Sequence, residues 1–331
     1  MLDWLRLIRA SGLFTIASNT LAAILVCAAG DDLHPLWLLK RLQTNGWAAL
    51  WIPVASFCLY AAGMLWNDLN DLERDRVLNP RRPLPSGRVG LSAAFVVGVL
   101  FAVGALAAGY MASGRTGFDA AGVVLILAML YDFAAKDVPY VGSLVMGLVR
   151  ASHATFAVLL LGQDYFKMAL HISPNHSRTS VLLSYPLILG CYIVGLTLIS
   201  ELESRKSHRW ELLVGGATVA LAIGMAVMRV LSAPWIVPLE RWGAAGPLVV
   251  TVSLAIPLVI LGWLLVLVGK PYLQALHTGR QALVGATVFA GLAGIILLDA
   301  IVAGSAHPLG ALLIVLLFPL FRTVGALIRM D

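Results

Sequence analysis

The chain has 331 residues, of which 60% are hydrophobic and 12% charged, with a formal net charge of +6. A soluble domain carries about a quarter of its residues as charges, so this composition and a mean hydropathy of +0.90 exclude that class. At about 20 residues per crossing the chain can span a bilayer nine or ten times, and no polar segment is long enough for a soluble core, so residues 1–331 read as a single all-α transmembrane bundle.

The first apolar run, Ser11–Ala29, follows Arg6 and Arg9 and shows no small-residue cleavage pattern, which predicts a retained span rather than a signal peptide. Asn19 lies in mid-span, where it either faces a cavity or bonds to a neighbouring helix. A second run covers Trp47–Trp66. Cys27, Cys58 and Cys191 all fall inside apolar runs without paired spacing and read as small core residues.

The second run ends in N-D-L-N-D-L-E-R-D-R-V-L-N-P-R-R-P-L-P-S-G, from Asn67 to Gly87. Asp68, Asp71, Glu73 and Asp75 are four of the chain's seventeen carboxylates, and Arg74, Arg76, Arg81, Arg82 and Arg88 interleave or follow. If the helix continues through this stretch, Asp68, Asp71 and Asp75 share one face, with Asn67 beside them. A row of like charges on one face repels itself unless cations lie between them. Hard oxygen donors at this spacing suit Mg²⁺, which bridges to substrate phosphate, and arginines grip phosphate oxygens directly. A solvated, topology-fixing loop would also carry mixed charge after an apolar helix. That accounts for the arginines but not for the helical register of the carboxylates.

The pattern Asn67-Asp68-x2-Asp71-x3-Asp75, followed by Asn79, Arg82-Pro83-Leu84 and Ser86-Gly87, resembles the first aspartate motif of the UbiA superfamily of intramembrane prenyltransferases. The resemblance implies a UbiA-like bundle and a Mg²⁺-dependent reaction of an allylic polyprenyl diphosphate. It places metal ligands at Asn67, Asp68, Asp71 and Asp75, with diphosphate contacts at Arg82 and at Arg74.

Spans three and four are expected at Leu91–Met111 and Gly117–Tyr131, the latter running into Y-D-F-A-A-K-D. Asp132 and Lys136 are i,i+4, the spacing of a plain helix-end ion pair. UbiA relatives also end this span with a tyrosine and then a lysine that meets the diphosphate. The resemblance therefore implies roles for Tyr131 and Lys136 beside the catalytic Asp68 and Asp71. Here the gap is Tyr131-x4-Lys136, one residue longer than the commonest form. Span five, Tyr140–Gly162, holds Arg150 and His153. An intramembrane cation needs a partner or a wet cavity, which makes Arg150 a candidate for the diphosphate unless it snorkels to the headgroups. His153 reads as neutral and hydrogen-bonded.

The loop Gln163–Ser180 carries His171 and His176 without a third ligand and reads as surface. Span six, Val181–Ser200, ends in S-E-L-E-S-R-K, where the family pattern asks for Asp-x3-Asp. Glu201 stands in the first place, as a candidate metal ligand, but Arg205 occupies the second. Glu203 faces elsewhere on a helix. Arg205 then becomes a candidate phosphate contact, or else ionisation is lost. Four further spans are expected at Leu212–Ser232, Gly246–Leu267, Gln281–Gly304 and His307–Ile328, with Asp299 read as an interfacial helix-end residue.

With a cytoplasmic N-terminus, the inside segments through Arg280 hold thirteen Lys and Arg against seven outside, which sets that orientation and puts the motif loops in the cytoplasm. The setting expected is a bacterial cytoplasmic membrane. The partners expected are a polyprenyl diphosphate donor, an aromatic or lipid acceptor and membrane lipid, with no nucleic acid. The competing expectation, supported by the altered second motif, is a non-catalytic carrier of a lipid-linked precursor. A CDP-alcohol phosphotransferase is set aside because Leu72 stands where that family needs glycine. An ion-coupled transporter would place its charges near mid-membrane rather than at the helix ends.

Overall fold

The computed structural model describes residues 2–28, 50–161, 176–203, 209–236, 246–305 and 308–329. Among these there is no strand; the chain is a bundle of helices. A short α1 (Leu2–Leu7) leads through a turn into α2 (Gly12–Ala28). Next come α3 (Trp51–Asn70) and, after a one-residue break at Asp71, α4 (Leu72–Leu78). Backbone bonds from Asp71 N to Asn67 O and from Asp75 N to Asp71 O carry the helical repeat across that break, so the carboxylates keep their register.

The stretch Leu91–Leu130, α5, folds back on itself at Ser113 and Gly114, where Gly114 takes φ 58° and ψ −140°, a conformation side chains disfavour. The two legs correspond to the expected spans three and four. They touch backbone to backbone: a Cβ on Gly117 would overlap the Gly109 carbonyl oxygen. The remaining helices are α6 (Val141–Leu161), α7 (His176–Glu201), α8 (Arg209–Ile236), α9 (Gly246–Thr278), α10 (Gln281–Gly304), α11 (Pro308–Val315) and α12 (Leu317–Arg329).

Seven helical stretches are long and apolar enough to cross a membrane. With the α5 hairpin taken as two legs and the apolar helices α2 and α3 added, the described residues offer ten candidate crossings, roughly consistent with the expected nine to ten. In the bundle α3 packs on α5, α6 on α7, α7 on α8 and α9 on α10. At its centre lies α10, buried without interruption from Ala293 to Gly304. Lipid-facing leucines and valines such as Leu100, Val259 and Val266 are exposed, as expected where hydrocarbon replaces water.

A second, smaller apolar cluster lies under the charged stretch. Leu84 and Val89 pack there with Leu7, Leu65 and Ala94. The Arg-Pro-Leu sequence is thus held by its leucine, which fixes the arginine before it.

Candidate active site

Asn67, beside the carboxylate row, lines a cavity of about 550 Å³, walled by α1, α2, α3, α5, α6, α7, α10 and α12. Its polar end carries Arg6, Arg9, Asn67, Tyr131 and Asp132; farther in, the wall is mostly apolar.

Asp68 is buried and its Oδ1 accepts from Arg9 Nη2 at 3.1 Å. Arg9 sits in the turn between α1 and α2 with φ 47°, a left-handed conformation that costs a residue with a Cβ about 1–2 kcal/mol. Tyr60 holds this turn by donating its hydroxyl to Arg9 O at 3.1 Å. Gly12 makes room, since a Cβ there would overlap that hydroxyl. Burial pulls the Arg9 pKa down, but Asp68, with Tyr60 and Asp71 behind it, outweighs burial and holds it above the usual guanidinium value. Backbone strain at a functional turn is a recurrent pattern.

Lys136 Nζ donates to Asp71 Oδ1 at 2.7 Å and to Asn67 Oδ1 at 3.4 Å. Lys136 thus makes, in place of the plain helix-end pair with Asp132 that the i,i+4 spacing allows, an ion pair that joins the two motifs. The cause is local. Residues Tyr131–Ala135 form a π-turn, in which Lys136 N bonds to Tyr131 O, five residues back. A π-turn absorbs one extra residue without rotating the chain beyond it. The longer Tyr131-x4-Lys136 gap thus delivers the lysine to the direction that a one-shorter gap would reach in a regular helix. Asn70 secures the turn by donating to Asp132 O at 2.7 Å.

Asp75 is buried and turned toward the Arg-Pro-Leu loop. Arg82 donates to its Oδ2, and Asn79 Nδ2 donates to its Oδ1 at 2.9 Å. Arg74 is exposed and lies 3.6 Å from Asp137 Oδ1. Glu201 lies at the end of α7, where Ser143 Oγ donates to its Oε1 at 2.6 Å and Tyr140 N to its Oε2 at 3.3 Å. It is within electrostatic reach of Tyr131. Arg205 falls outside the described residues. The structure thus brings Asn67, Asp68, Asp71 and Lys136 together, with Tyr131 on the cavity wall, and sets Asp75, Arg82, Arg74 and Glu201 around them.

Arg150 lies on the cavity wall and donates Nη1 to Asn19 Oδ1 at 3.2 Å. Asn19 in turn donates to Asp299 Oδ2 at 2.7 Å, so its polar character serves interhelical bonding. Asp299, expected at the interface, is instead fully buried, accepting also from Ser18 at 2.6 Å and Tyr185 at 2.9 Å. His153, expected to be hydrogen-bonded, is buried with neither ring nitrogen partnered.

Asn67 Oδ1 and Asp71 Oδ1 both accept from one ammonium, so they already converge on a single cation, and Asp68 adds a further hard oxygen beside them. Among the described residues no three His, Cys, Asp or Glu side chains form a ready-made cage. Two carboxylates and an amide oxygen are a donor set of the hard-oxygen kind that Mg²⁺ takes together with substrate phosphate. Residues missed in the sequence are Arg9, Tyr60 and Asp132. Arg9 was visible only as a charge before a span, and its position depends on how α1 docks.

The UbiA prenyltransferase family model matches residues 20–275. Digeranylgeranylglyceryl phosphate synthase of Sulfolobus acidocaldarius is 34% identical over 114 residues, covering 34% of this chain and 40% of that protein. The protein of the same name from Methanosarcina mazei is 30% identical over 169 residues, covering 51% and 52%. The matched segment thus spans about half or less of these relatives' length. A solved structure described as giving insights into digeranylgeranylglyceryl phosphate synthase in membranes superimposes with a TM-score of 0.57 at 18% identity, covering 92% of this chain and 98% of that one. The apo structure of a UbiA homolog from Aeropyrum pernix K1 gives 0.56 at 17%, covering 88% and 96%. At these identities the structures speak for the fold.

Proposed function

The chain belongs to the UbiA prenyltransferase family, and from that premise we propose that it transfers an isoprenoid chain from an allylic polyprenyl diphosphate to an acceptor within the membrane. The observation that carries this reading is the cluster of Asn67, Asp68, Asp71, Arg9 and Lys136, of which Asn67 and Arg9 line a mostly apolar cavity.

In the proposed reaction the diphosphate lies at that cluster and the prenyl chain in the cavity. The allylic C–O bond breaks, its electron pair leaves with the diphosphate, the acceptor's nucleophilic atom bonds to the allylic carbon, and the acceptor's proton goes to the departing diphosphate. Lys136 and Arg9 offer fixed positive charge where negative charge develops. Arg82, held by Asp75 and Leu84, stands at the rim, with Arg74 farther out and Arg205 a further proposed contact. Mg²⁺, held by Asn67, Asp68 and Asp71 and with Asp75 and Glu201 as further candidate ligands, would supply Lewis-acid neutralisation of the leaving group. Tyr131 borders the reacting centre. Apolar walls keep water from the cation-like carbon.

The relatives' names favour a lipid acceptor of the glyceryl phosphate class over an aromatic one. The Lys and Arg distribution supports a cytoplasmic location for the motif end. The sequence reading expects a bacterial membrane; the relatives named are archaeal, and the location proposed is the cytoplasmic membrane of either kind of cell.

The test follows Mg²⁺-dependent diphosphate release from a labelled allylic diphosphate by purified protein in lipid, with a panel of acceptors. Wild type is expected to release diphosphate and Asp71→Ala not to. Tight binding of the donor with no release, whatever the acceptor, would overturn transfer in favour of the carrier reading that Glu201 and Arg205 raise.

A further inference from the structure

Ionisable side chains inside a membrane bundle call for a function. Asp299 and Arg150 belong to one hydrogen-bonded group drawn from four helices. Asp299 of α10 accepts from Ser18 and Asn19 of α2 at 2.6 and 2.7 Å, and from Tyr185 of α7 at 2.9 Å. The Tyr185 hydroxyl also lies 3.1 Å from Asn19 O, and Arg150 of α6 donates to Asn19 Oδ1 at 3.2 Å. Ser18, Asn19, Tyr185 and Asp299 are fully buried and do not border the cavity, whereas Arg150 does.

This group closes the end of the cavity away from the carboxylates. The helix α3 and the second leg of α5 run toward Asn67 and Tyr131, while α2 and α6 run away from the Arg9 turn and from Lys136. The helix α7 ends at Glu201, and α10 begins beside Glu203, whose carboxylate lies against Gly285. The lining residues farthest from the carboxylates are therefore Ile16, Leu59, Val124, His153, Ile193 and Leu292. Ser18 and Asn19 follow Ile16 within one turn; Tyr185 and Asp299 lie about two turns past Ile193 and Leu292. Ala55, Ala121, Phe156 and Ile295, each about one turn past a lining residue, are fully buried and fill the space between. From Asn67 to Leu59 the cavity follows α3 for about 12 Å. An extended isoprene unit has four chain bonds of about 1.5 Å and spans about 5 Å, so two to three units reach the far end. To go farther a tail would have to part bonded polar groups, which hydrocarbon cannot satisfy.

We propose that the Asn19–Asp299–Ser18–Tyr185 group, with Arg150 as its edge on the cavity, is a depth stop that sets how many isoprene units of the donor are held inside the bundle. This rests on the reading above for the donor, a prenyl diphosphate with its head at Asn67 and Arg9, but not on transfer itself. Two to three units lie between the head and the stop, and a longer tail turns back or leaves between helices. Arg150 meets the tail and determines specificity. The four residues behind it are positioning residues: they hold the guanidinium in place and do not touch the tail.

The test measures equilibrium binding of non-hydrolysable prenyl thiodiphosphates of one to four isoprene units, with Mg²⁺, to purified protein in one detergent. Each variant is read against wild type at every length, which cancels partitioning of the probe into micelles. Arg150→Ala opens the stop and is expected to raise the affinity for four units relative to two by about fourfold or more, the worth of one buried methylene. Asn19→Ala, which unties the guanidinium, should move the same ratio in the same direction and by less. Leu292 lines the far end and is only partly buried, so Leu292→Phe adds bulk there and should lower the affinity for three units relative to one by about fourfold. These ratios do not respond to a loss of folded protein, which lowers the bound amount at all lengths together. The proposal is overturned if Arg150→Ala changes all four lengths alike, which would place Arg150 at the diphosphate. It is overturned also if the ratios in Arg150→Ala and Leu292→Phe both stay within about twofold of wild type. Absence of binding at every length in wild type would remove the donor reading and the depth stop together. Failure of turnover with the shifted ratios intact would remove transfer alone.

Discussion

Lys136 Nζ lies 2.7 Å from Asp71 Oδ1, across 65 residues of sequence. The contact joins the end of α3 to the end of the α5 hairpin, and it sets a positive charge within the row of carboxylates that would otherwise repel one another. In the proposed reaction the same ammonium offsets charge on the diphosphate, which the carboxylates by themselves repel.

Removing that charge should act on the reaction rather than on the fold. Lys136→Met is expected to lower diphosphate release by about 10²–10³-fold, the usual loss for one preorganised electrostatic group. Lys136→Arg should retain a measurable part of it. Steady-state release on purified protein reads both, with a melting curve to show that the variants are folded.

The π-turn makes a sharper expectation. Deleting Ala134 shortens Tyr131-x4-Lys136 to the regular gap and allows a plain helix, so Lys136 keeps its direction. Inserting a second alanine at the same place swings Lys136 by about 100°. Release should survive the deletion at a reduced level and vanish in the insertion. Equal loss in both would show that the turn does not set the lysine.

A chelator should stop release and added Mg²⁺ restore it. Asp71→Asn is expected to raise the Mg²⁺ concentration for half-maximal release by about tenfold or more, because it removes a charged ligand. Asp75→Asn should show its main effect as a lower melting temperature, since both its oxygens hold Asn79 and Arg82. A Mg²⁺ titration of the two variants side by side separates them.

Asp299 accepts from three side chains at 2.6, 2.7 and 2.9 Å in the buried centre. Asp299→Ala removes the acceptor that Ser18, Asn19 and Tyr185 share; Ser18 keeps Thr15 O and Tyr185 keeps Asn19 O, while the Asn19 amide N–H loses its partner, so the change is expected to destabilise by about 1–3 kcal/mol. Asp299→Asn, which keeps an acceptor, should cost less. Thermal unfolding in one detergent measures both.

The α5 hairpin depends on the Gly109–Gly117 contact. Gly117→Val should lower the melting temperature by several degrees, or about 2 kcal/mol or more, because the clash is with backbone. Gly122→Ala is the control: its Cβ would lie 3.9 Å from Leu106, an ordinary contact.

The spans and the carboxylate row could be read from the chain because both are local periodicities: length of apolar run, and spacing of three and four. The hairpin was legible as well, since Ser113-Gly114-Arg115 interrupts two apolar runs. Partnerships were not. Asp132 is the near neighbour of Lys136 in sequence, yet a single π-turn sends the lysine to Asp71. Asp299 looks like a helix-end residue by position, and only the packing of α2 and α7 around α10 shows it to be central. Arg9 is one of two arginines before a span; its contact with Asp68 arises from a left-handed turn that no spacing announces.

The cavity wall draws on residues from Arg6 to Ile328. The end of α3, which carries the carboxylates, and α12, which supplies part of the wall, lie far apart along the chain. The cavity therefore takes its walls from helices distant in sequence, and no short segment holds it by itself. A chain cut before Leu317 keeps the aspartate motif and loses the part of the wall that Phe321, Gly325 and Ile328 supply.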